Sequence, residues 1–165
     1  MRRRPNNFAG FTLLELVLVL AILTIVVALV APSFRGFTAG RRADDTATLI
    51  VSLANYARTQ AVTEGRTYRL NFDPAARAMW LTADDEGTFV APSNDFGRRC
   101  IASEGVQMEA DVPRHDDGQY VEFHPTGRTD AAHILLTNSL GDSIDVACSS
   151  ATELFRILPP GEATP

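Results

Sequence analysis

Cysteine is scarce in this chain of 165 residues, which holds only Cys100 and Cys148. Two cysteines alone cannot supply the four ligands of a structural zinc site. They are enough for one disulfide in an oxidising compartment, and the alternative is two separate thiols. The sequence therefore predicts no cysteine-based metal centre, and it leaves the pairing of Cys100 with Cys148 open.

Histidine and the common catalytic motifs are equally sparse. His115, His124 and His133 stand nine residues apart, so none of them has a partner at the helical spacing that metal sites use. The chain has no nucleophile elbow, no phosphate-binding P-loop and no His-Glu-x-x-His helix. We therefore expect a protein that is not an enzyme and that needs neither a metal nor a cofactor.

Lysine is missing altogether, and the 15 basic residues are all arginine against 20 acidic ones, for a net charge of −5. An acidic chain is a poor candidate for nucleic-acid binding, which normally requires a basic patch. Hydrophobic residues make up 45% of the chain, which excludes a disordered acidic tail.

A long apolar run is what the sequence does contain. It extends from Phe11 to Ala31, and its polar side chains are Thr12, Glu15 and Thr24. As a helix it measures roughly 31 Å, close to the hydrocarbon thickness of a bilayer. Because the run is long and flanked by charge, it predicts a membrane-spanning helix rather than a buried core helix.

Three arginines, Arg2–Arg4, precede the run, and the positive-inside rule keeps them in the cytoplasm. A secretory signal is one alternative, with Ala28, Ala31 and Ser33 imitating a cleavage site after the run. The better junction of small residues, Ala9-Gly10, lies before the run. Cleavage there keeps the apolar segment and leaves 12 basic and 20 acidic residues, a net charge of −8.

The stretch Gly10-Phe11-Thr12-Leu13-Leu14-Glu15, followed by about twenty apolar residues and Pro32, resembles the type IV pilin and pseudopilin family. The resemblance implies that residues 1–10 are a leader that a prepilin peptidase removes between Gly10 and Phe11. It also implies that the same enzyme methylates the new Phe11 amine. Both reactions belong to the peptidase, which is thereby a processing partner of the chain.

Glu15 is the one carboxylate in the apolar run. An acidic residue costs about 2.5–3.5 kcal/mol at the centre of a membrane helix, and less near its end, so such residues usually find partners. In the family this glutamate is thought to neutralise the terminal amine of a neighbouring subunit, which assigns Glu15 to assembly. The alternative is that Glu15 merely reaches the cytoplasmic interface.

Helical periodicity continues from Ser33 to Glu64, with Gly65 as a predicted C-terminal cap. The expected core stripe is Leu49, Leu53, Ala57 and Ala61, with Ile50 and Ala54 beside it. Beyond Gly65 the pattern changes to strands. We expect them at Tyr68–Phe72, Ala78–Thr82, Phe89–Val90, around Val106 and Met108, and at Tyr120–His124, Ile134–Thr137, Ile144–Cys148 and Leu154–Leu158.

One helix followed only by strands predicts an α+β fold, in which a long N-terminal helix packs on antiparallel sheet, as in pilins. The predicted segments are the leader at 1–10, a transmembrane and assembly helix at 11–31, a globular domain at 32–158 and a flexible tail at 159–165. Residues 84–87, 114–118 and 125–128 are expected turns, and residues 91–100 an expected loop.

Three features of the second half resemble the H-type minor pseudopilins of type II secretion and their FimT-type pilus relatives. They are Ala57–Ala61 leading through Gly65 to a strand, the Trp80 hairpin, and Phe123–Arg128 before a strand and the Gly141 turn. The resemblance implies a structural subunit of the pseudopilus tip that supports protein export across the outer membrane. Its implied partners are other pseudopilins and the inner-membrane assembly platform.

The implied location is the inner membrane, crossed once, with the C-terminal domain in the periplasm. The alternative is a FimT-like minor pilin that serves pilus assembly or DNA uptake. That alternative would need an exposed arginine cluster, for which the sequence offers the pair Arg98 and Arg99, and Arg156 near the C-terminus.

Overall fold

The computed structural model describes residues 12–116 and 118–159, and for residues 29–37 it describes the backbone alone. Arg2–Arg4, the predicted cleavage bond between Gly10 and Phe11, and residues 160–165 of the predicted tail lie outside the described residues. The chain divides into two units, Met1–Phe37 and Thr38–Pro165.

Helix α1 spans Leu13–Glu64 and includes Pro32. Gly65 follows it with a φ of 70°, and its N–H donates to the carbonyl of Ala61 at 3.0 Å, which confirms the predicted glycine cap. In the described part of the chain, no helix combines the length and apolar character that crossing a bilayer requires. The membrane-spanning segment at 11–31 therefore stays a prediction.

Within the described residues, ten strands follow the helix and form two antiparallel sheets. The strands are β1 (Tyr68–Asp73), β2 (Ala78–Asp85), β3 (Thr88–Val90), β4 (Cys100–Ile101), β5 (Gln107–Asp111), β6 (Arg114–His115), β7 (Gly118–Phe123), β8 (Ala132–Thr137), β9 (Ser143–Cys148) and β10 (Arg156–Ile157). Sheet A has the order β3-β2-β1-β7-β6, with β4 also paired to β2, and sheet B has the order β10-β9-β8-β5. The predicted α+β fold is thereby confirmed.

The hairpin between β2 and β3 shows why the strand bounds differ from those predicted. The strand around Trp80 continues through Asp85, so the turn expected at 84–87 is shorter than its acidic residues suggested. Glu86 and Gly87 both have positive φ, 53° and 88°, which matches the right-handed twist of a two-residue hairpin. The carboxylate of Asp84 accepts a hydrogen bond from the N–H of Gly87 at 2.9 Å and fixes this turn.

Several short strands were missed or misplaced by the sequence pattern. Cys100–Ile101 pairs with β2 although residue 100 was expected in a loop, and Arg114–His115 pairs with β7 although a turn was expected there. Two-residue strands contain no alternation to recognise, since their pairing is set by the neighbouring strand. The last strand is likewise Arg156–Ile157 rather than Leu154–Leu158.

The core lies between the second half of α1 and the inner faces of the sheets. From the predicted helix stripe, Ile50, Leu53, Ala54, Ala57 and Ala61 are buried, while Leu49 packs at the edge of the core. The inner face of sheet A contributes Tyr68, Leu70 and Leu81, which alternate with outward-facing residues as the strand period requires.

Candidate functional site

The start of α1 is a capping arrangement built by Thr12 and Glu15. The side-chain oxygen of Thr12 accepts a hydrogen bond from the N–H of Glu15 at 3.2 Å, and the N–H of Leu16 donates to the carbonyl of Thr12 at 3.2 Å. The spacing Thr-x-x-Glu is the sequence signature of a capping box, so Thr12 could have been recognised as the N-cap. The sequence analysis assigns Thr12 no capping role, because Thr12 stands inside the apolar run Phe11–Ala31.

Glu15 occupies the first turn of α1 with an exposed side chain. A carboxylate is stabilised there, because the N-terminal end of a helix carries partial positive charge. Among the described residues no ion pair of Glu15 is seen, so its carboxylate can accept a cation from outside the described chain. Phe11, whose amine is the predicted partner, lies outside the described residues.

Large apolar side chains surround this carboxylate on every side of the helix. Those of Leu13, Leu14, Leu16, Val17, Leu18, Val19, Leu20, Ile22, Leu23, Ile25, Val26 and Val27 are between 44% and 82% exposed. Monomeric soluble proteins rarely expose so large a contiguous apolar patch, which usually marks a contact with protein or membrane. This surface, with Glu15 within it, is the candidate assembly site.

The two cysteines are free thiols on different sheets. Cys148 is fully buried, and its Sγ lies 3.2 Å from the carbonyl of Ser150 and 3.3 Å from that of Glu153. Burial raises the pKa of this thiol, so it is a weak nucleophile. Cys100 is half-buried, with its Sγ 3.6 Å from the carbonyl of Arg98. The structure therefore gives no support to a disulfide between Cys100 and Cys148, a pairing that the sequence leaves open.

The histidines lie apart and have separate partners. His133 is 2.7 Å from the carboxylate of Asp145, His115 stacks on the ring of Tyr120 at 4.2 Å, and His124 is 3.9 Å from Glu122. Within residues 12–116 and 118–159, no group of three histidine, cysteine or carboxylate side chains is placed to hold a metal ion.

The arginines that a nucleic-acid interface would need are paired with carboxylates. Arg98 lies 3.2 Å from Asp95, and Arg156 lies 3.2 Å from Glu153. Arg99 lies 2.6 Å from Asp73. A phosphate would have to compete with these partners, so the arrangement does not favour the DNA-uptake alternative.

The side chains of Arg69 and Arg99 lie over the outer face of sheet A, where they also contact aromatic rings. The guanidinium of Arg99 lies 4.4 Å from the ring centre of Trp80. That of Arg69 lies between the rings of Phe89 and Tyr120, at 3.5 and 3.9 Å. These contacts fix the positions of the two guanidinium groups and take up ring faces on which a nucleotide base could stack.

Comparisons with known proteins agree with this geometry. Residues 5–31 match the prokaryotic N-terminal methylation motif, and residues 46–152 match the family model of type II transport protein GspH. No curated protein sequence matches the chain significantly.

Two kinds of solved structure share the fold. A structure of the minor pseudopilin EpsH from the type 2 secretion system of Vibrio cholerae is 13% identical, covers 73% of this chain and 99% of its own, and has a TM-score of 0.62. A structure of the type IV minor pilin FimU of Pseudomonas aeruginosa is 17% identical, covers 78% and 96%, and has a TM-score of 0.55. At these identities the likeness shows the fold alone.

Proposed function

The chain belongs to the type II transport protein GspH family and is thus a minor pseudopilin of type II secretion, and from this premise we propose that it is a structural subunit of the pseudopilus tip. The observation that supports this role is the presence, on one chain, of an N-terminal methylation motif at 5–31 and a GspH domain at 46–152. The methylation motif supplies a helix that can join a fibre. The GspH domain supplies the globular module that distinguishes this subunit from other pseudopilins.

Processing is the first step of the proposal. A prepilin peptidase cuts between Gly10 and Phe11 and methylates the Phe11 amine, which leaves the apolar helix as the new N-terminus. The positive charge of Arg2–Arg4 holds the leader in the cytoplasm, so the chain crosses the inner membrane once and its globular domain lies in the periplasm. The methylation motif supports this order of events.

Assembly is the second step, and Glu15 sets its register. The cleaved Phe11 amine of a neighbouring subunit is the cation that the exposed carboxylate of Glu15 receives as subunits leave the bilayer. The apolar side chains around Glu15 pack against the helices of other pseudopilins, and the inner-membrane platform supplies the subunits. A charge pair in an apolar environment is favourable only when both partners are present, so it selects one register.

The test is deletion of the gene, with export of secreted proteins and pilus functions scored separately. We expect export to fail and pilus functions to remain. Export that continues normally would contradict the proposal, and loss of pilus functions alone would favour the FimT-like alternative. A gel shift of the protein with DNA at moderate salt separates that alternative further, because tight, salt-sensitive binding is its signature.

Complementation with Glu15→Ala tests the assembly step. We expect the variant to be cleaved normally and to fail in export, since the register-setting carboxylate is gone. Glu104→Ala is a matched control, because Glu104 is an exposed carboxylate of the globular domain. If Glu15→Ala supports export as well as Glu104→Ala does, the proposed role of Glu15 is wrong.

A further inference from the structure

Strand β5, Gln107–Asp111, is the last strand of sheet B. It pairs with β8 along its whole length, from Gln107 opposite Thr137 to Asp111 opposite His133. Among the described residues, no backbone hydrogen bond joins β5 to any segment other than β8. In an antiparallel pair, alternate residues direct their N–H and C=O groups away from the partner, so β5 presents a row of such groups on its other side.

Apart from the charges of Glu109 and Asp111, the sequence of β5 lacks the features that usually protect such an edge. Natural edge strands are often very short or contain charged residues, especially lysine, or proline or a bulge. β5 has five residues, the ordinary length of a strand, and its sequence Gln-Met-Glu-Ala-Asp includes no proline and no basic residue. Met108 is buried, whereas Gln107, Glu109 and Asp111 are exposed, so the strand keeps a regular alternation.

Open space lies beside both ends of β5. A cavity of about 320 Å³ is lined by Gln107, Met108 and Glu109 together with Pro74, Ala75 and Arg77. A second cavity of about 410 Å³ is lined by Asp111, Val112, Pro113, Ala131, Ala132, His133, Cys148 and Ser149. The first cavity, which we call the β5 groove, is lined by Gln107–Glu109 on one side and by the β1–β2 turn on the other, whereas the second cavity lies at the ends of β5, β8 and β9.

The outer face of sheet B beside the β5 groove is acidic. Glu109 and Asp111 point outward from β5, and the carboxylate of Asp145 on β9 is paired with His133 on β8. Side chains of a strand added beside β5 would stand directly next to Glu109 and Asp111, at the spacing of cross-strand pairs. Cationic side chains at alternate positions of such a strand complement both carboxylates, and Arg77 on the opposite wall can donate to a carbonyl of its backbone.

We propose that β5 is a strand-addition site, which binds an extended segment of a partner polypeptide carrying arginine or lysine at alternate positions. Backbone hydrogen bonds to the open edge supply affinity, and the charges of Glu109 and Asp111 select the occupant. The site goes beyond the proposed function, because it is defined by the edge, the cavities and the charges of the globular domain and does not involve the N-terminal helix.

A fluorescently labelled peptide tests the charge requirement. The probe is a blocked peptide of about seven residues that alternates valine with arginine, and its binding to the full chain in detergent is followed by anisotropy. We expect saturable binding that weakens about tenfold in the double variant Glu109→Gln with Asp111→Asn. The matched control, Asp85→Asn with Glu86→Gln, changes the net charge equally on sheet A and should leave the affinity within about twofold. Equal weakening in both variants would overturn the proposal.

A second measurement tests strand pairing without any protein variant. Methyl groups on alternate backbone amides of the peptide remove the donors on one side only. We expect methylation in one register to abolish binding and methylation in the other register to preserve it, since only one side of the peptide faces β5. If both registers bind equally well, the peptide is held by charge alone and the proposed strand addition is wrong.

Discussion

Glu64, the last residue of α1, carries a negative charge where the helix dipole disfavours one. Arg66 and Tyr68, which follow the helix, compensate for this charge. The hydroxyl of Tyr68 donates to the Glu64 carboxylate at 2.8 Å, and Nε of Arg66 donates to the same oxygen at 2.6 Å. The hydrogen bond from Tyr68 is the main reason why the pKa of Glu64 lies below its ordinary value, with Arg66 adding to the effect. This cluster ties the end of α1 to the first strand.

Replacing Tyr68 with phenylalanine should therefore raise the pKa of Glu64. A carboxyl whose pKa is lowered by folding stabilises the protein above its unfolded pKa, near 4.3, and loses that contribution as the pH falls through the folded pKa. We expect Tyr68→Phe to reduce this acid-dependent loss, as measured by NMR titration of the Glu64 carboxyl carbon and by unfolding at several pH values. Tyr56→Phe is the control, because the hydroxyl of Tyr56 bonds to Asn94 instead. An unchanged Glu64 pKa in Tyr68→Phe would contradict this assignment.

Arg58 on α1 holds the segment that follows β9. Its guanidinium donates to the backbone carbonyls of Thr152, at 2.9 Å, and Glu153, and the segment leads to buried Phe155. Charge-assisted hydrogen bonds of this kind contribute more than neutral ones, particularly when they are partly buried. The arginine therefore stabilises a connection that has no regular secondary structure.

Arg58→Met should lower the free energy of unfolding by about 1–3 kcal/mol, since two carbonyls lose a charged donor. Urea denaturation measures the loss, and hydrogen exchange should show faster exchange at residues 150–155. Arg98→Met is the matched control, because the Arg98–Asp95 pair is highly exposed and such pairs contribute little. Equal stability of the two variants would show that the Arg58 contacts do not hold this segment.

Some of these residue-level features could be read from the sequence and others could not. The Thr12-x-x-Glu15 box is a local pattern, and Gly65 was recognised as a cap, since both depend on residues a few positions apart. Arg58 meets acceptors 94 and 95 residues further along the chain, and those acceptors are backbone carbonyls that every residue possesses. No sequence pattern marks such a contact, because the fold alone brings its members together.

The elements of secondary structure were predictable to the extent that they have a period. The buried stripe of α1 and the alternating strands β1, β7 and β8 were found because burial on one face leaves a pattern of 3.6 or 2 residues. Strands β4 and β6 are too short for any alternation. The division into two sheets follows from strand order, in which β7 pairs with β1 while β8 pairs with β5 and β9. Such long-range pairings are chosen by packing.

Gly97 and Gly40 differ in the space available for a Cβ atom, so replacing each with alanine should change stability in opposite directions. A Cβ on Gly97 would lie 2.0 Å from the carbonyl oxygen of Pro92, whereas a Cβ on Gly40 would meet nothing within 4 Å. Gly97 ends the turn that presents Phe96 to the ring of Tyr56, stacked at 3.9 Å. Alanine at position 97 must displace that turn, whereas alanine at position 40 only raises the helix propensity of α1.

Gly97→Ala should therefore destabilise the protein and weaken the contact between Phe96 and Tyr56, which NMR shifts of the two rings would report. Gly40→Ala should stabilise the protein by about 0.5–1 kcal/mol, because alanine loses less backbone entropy in a helix. Chemical denaturation of both variants measures the difference in sign. Destabilisation by Gly40→Ala would indicate that the surface of α1 at this position is occupied.

At the scale of the whole molecule, burial separates the two units. Among the described side chains, those that are buried begin with Ala39 and end with Leu158. Thr46 adds a polar link, since its hydroxyl accepts a hydrogen bond from the N–H of Ser103 at 3.2 Å. The family match to GspH, residues 46–152, falls within the same unit. Every buried side chain of the described residues thus lies in the second unit.

A fragment that begins at Thr38 should then unfold cooperatively, with a thermal midpoint within about 2 °C of that of the full chain in detergent. A fragment that begins at Leu49 lacks buried Ala39, Ala43, Thr46 and Ala47, and its midpoint should fall by about 10 °C or more. Circular dichroism in the near and far ultraviolet distinguishes a packed core from a loose one. If the Thr38 fragment loses its near-ultraviolet signal while helix and strand remain, the first unit contributes to the core, and the division at Thr38 does not mark an independent domain.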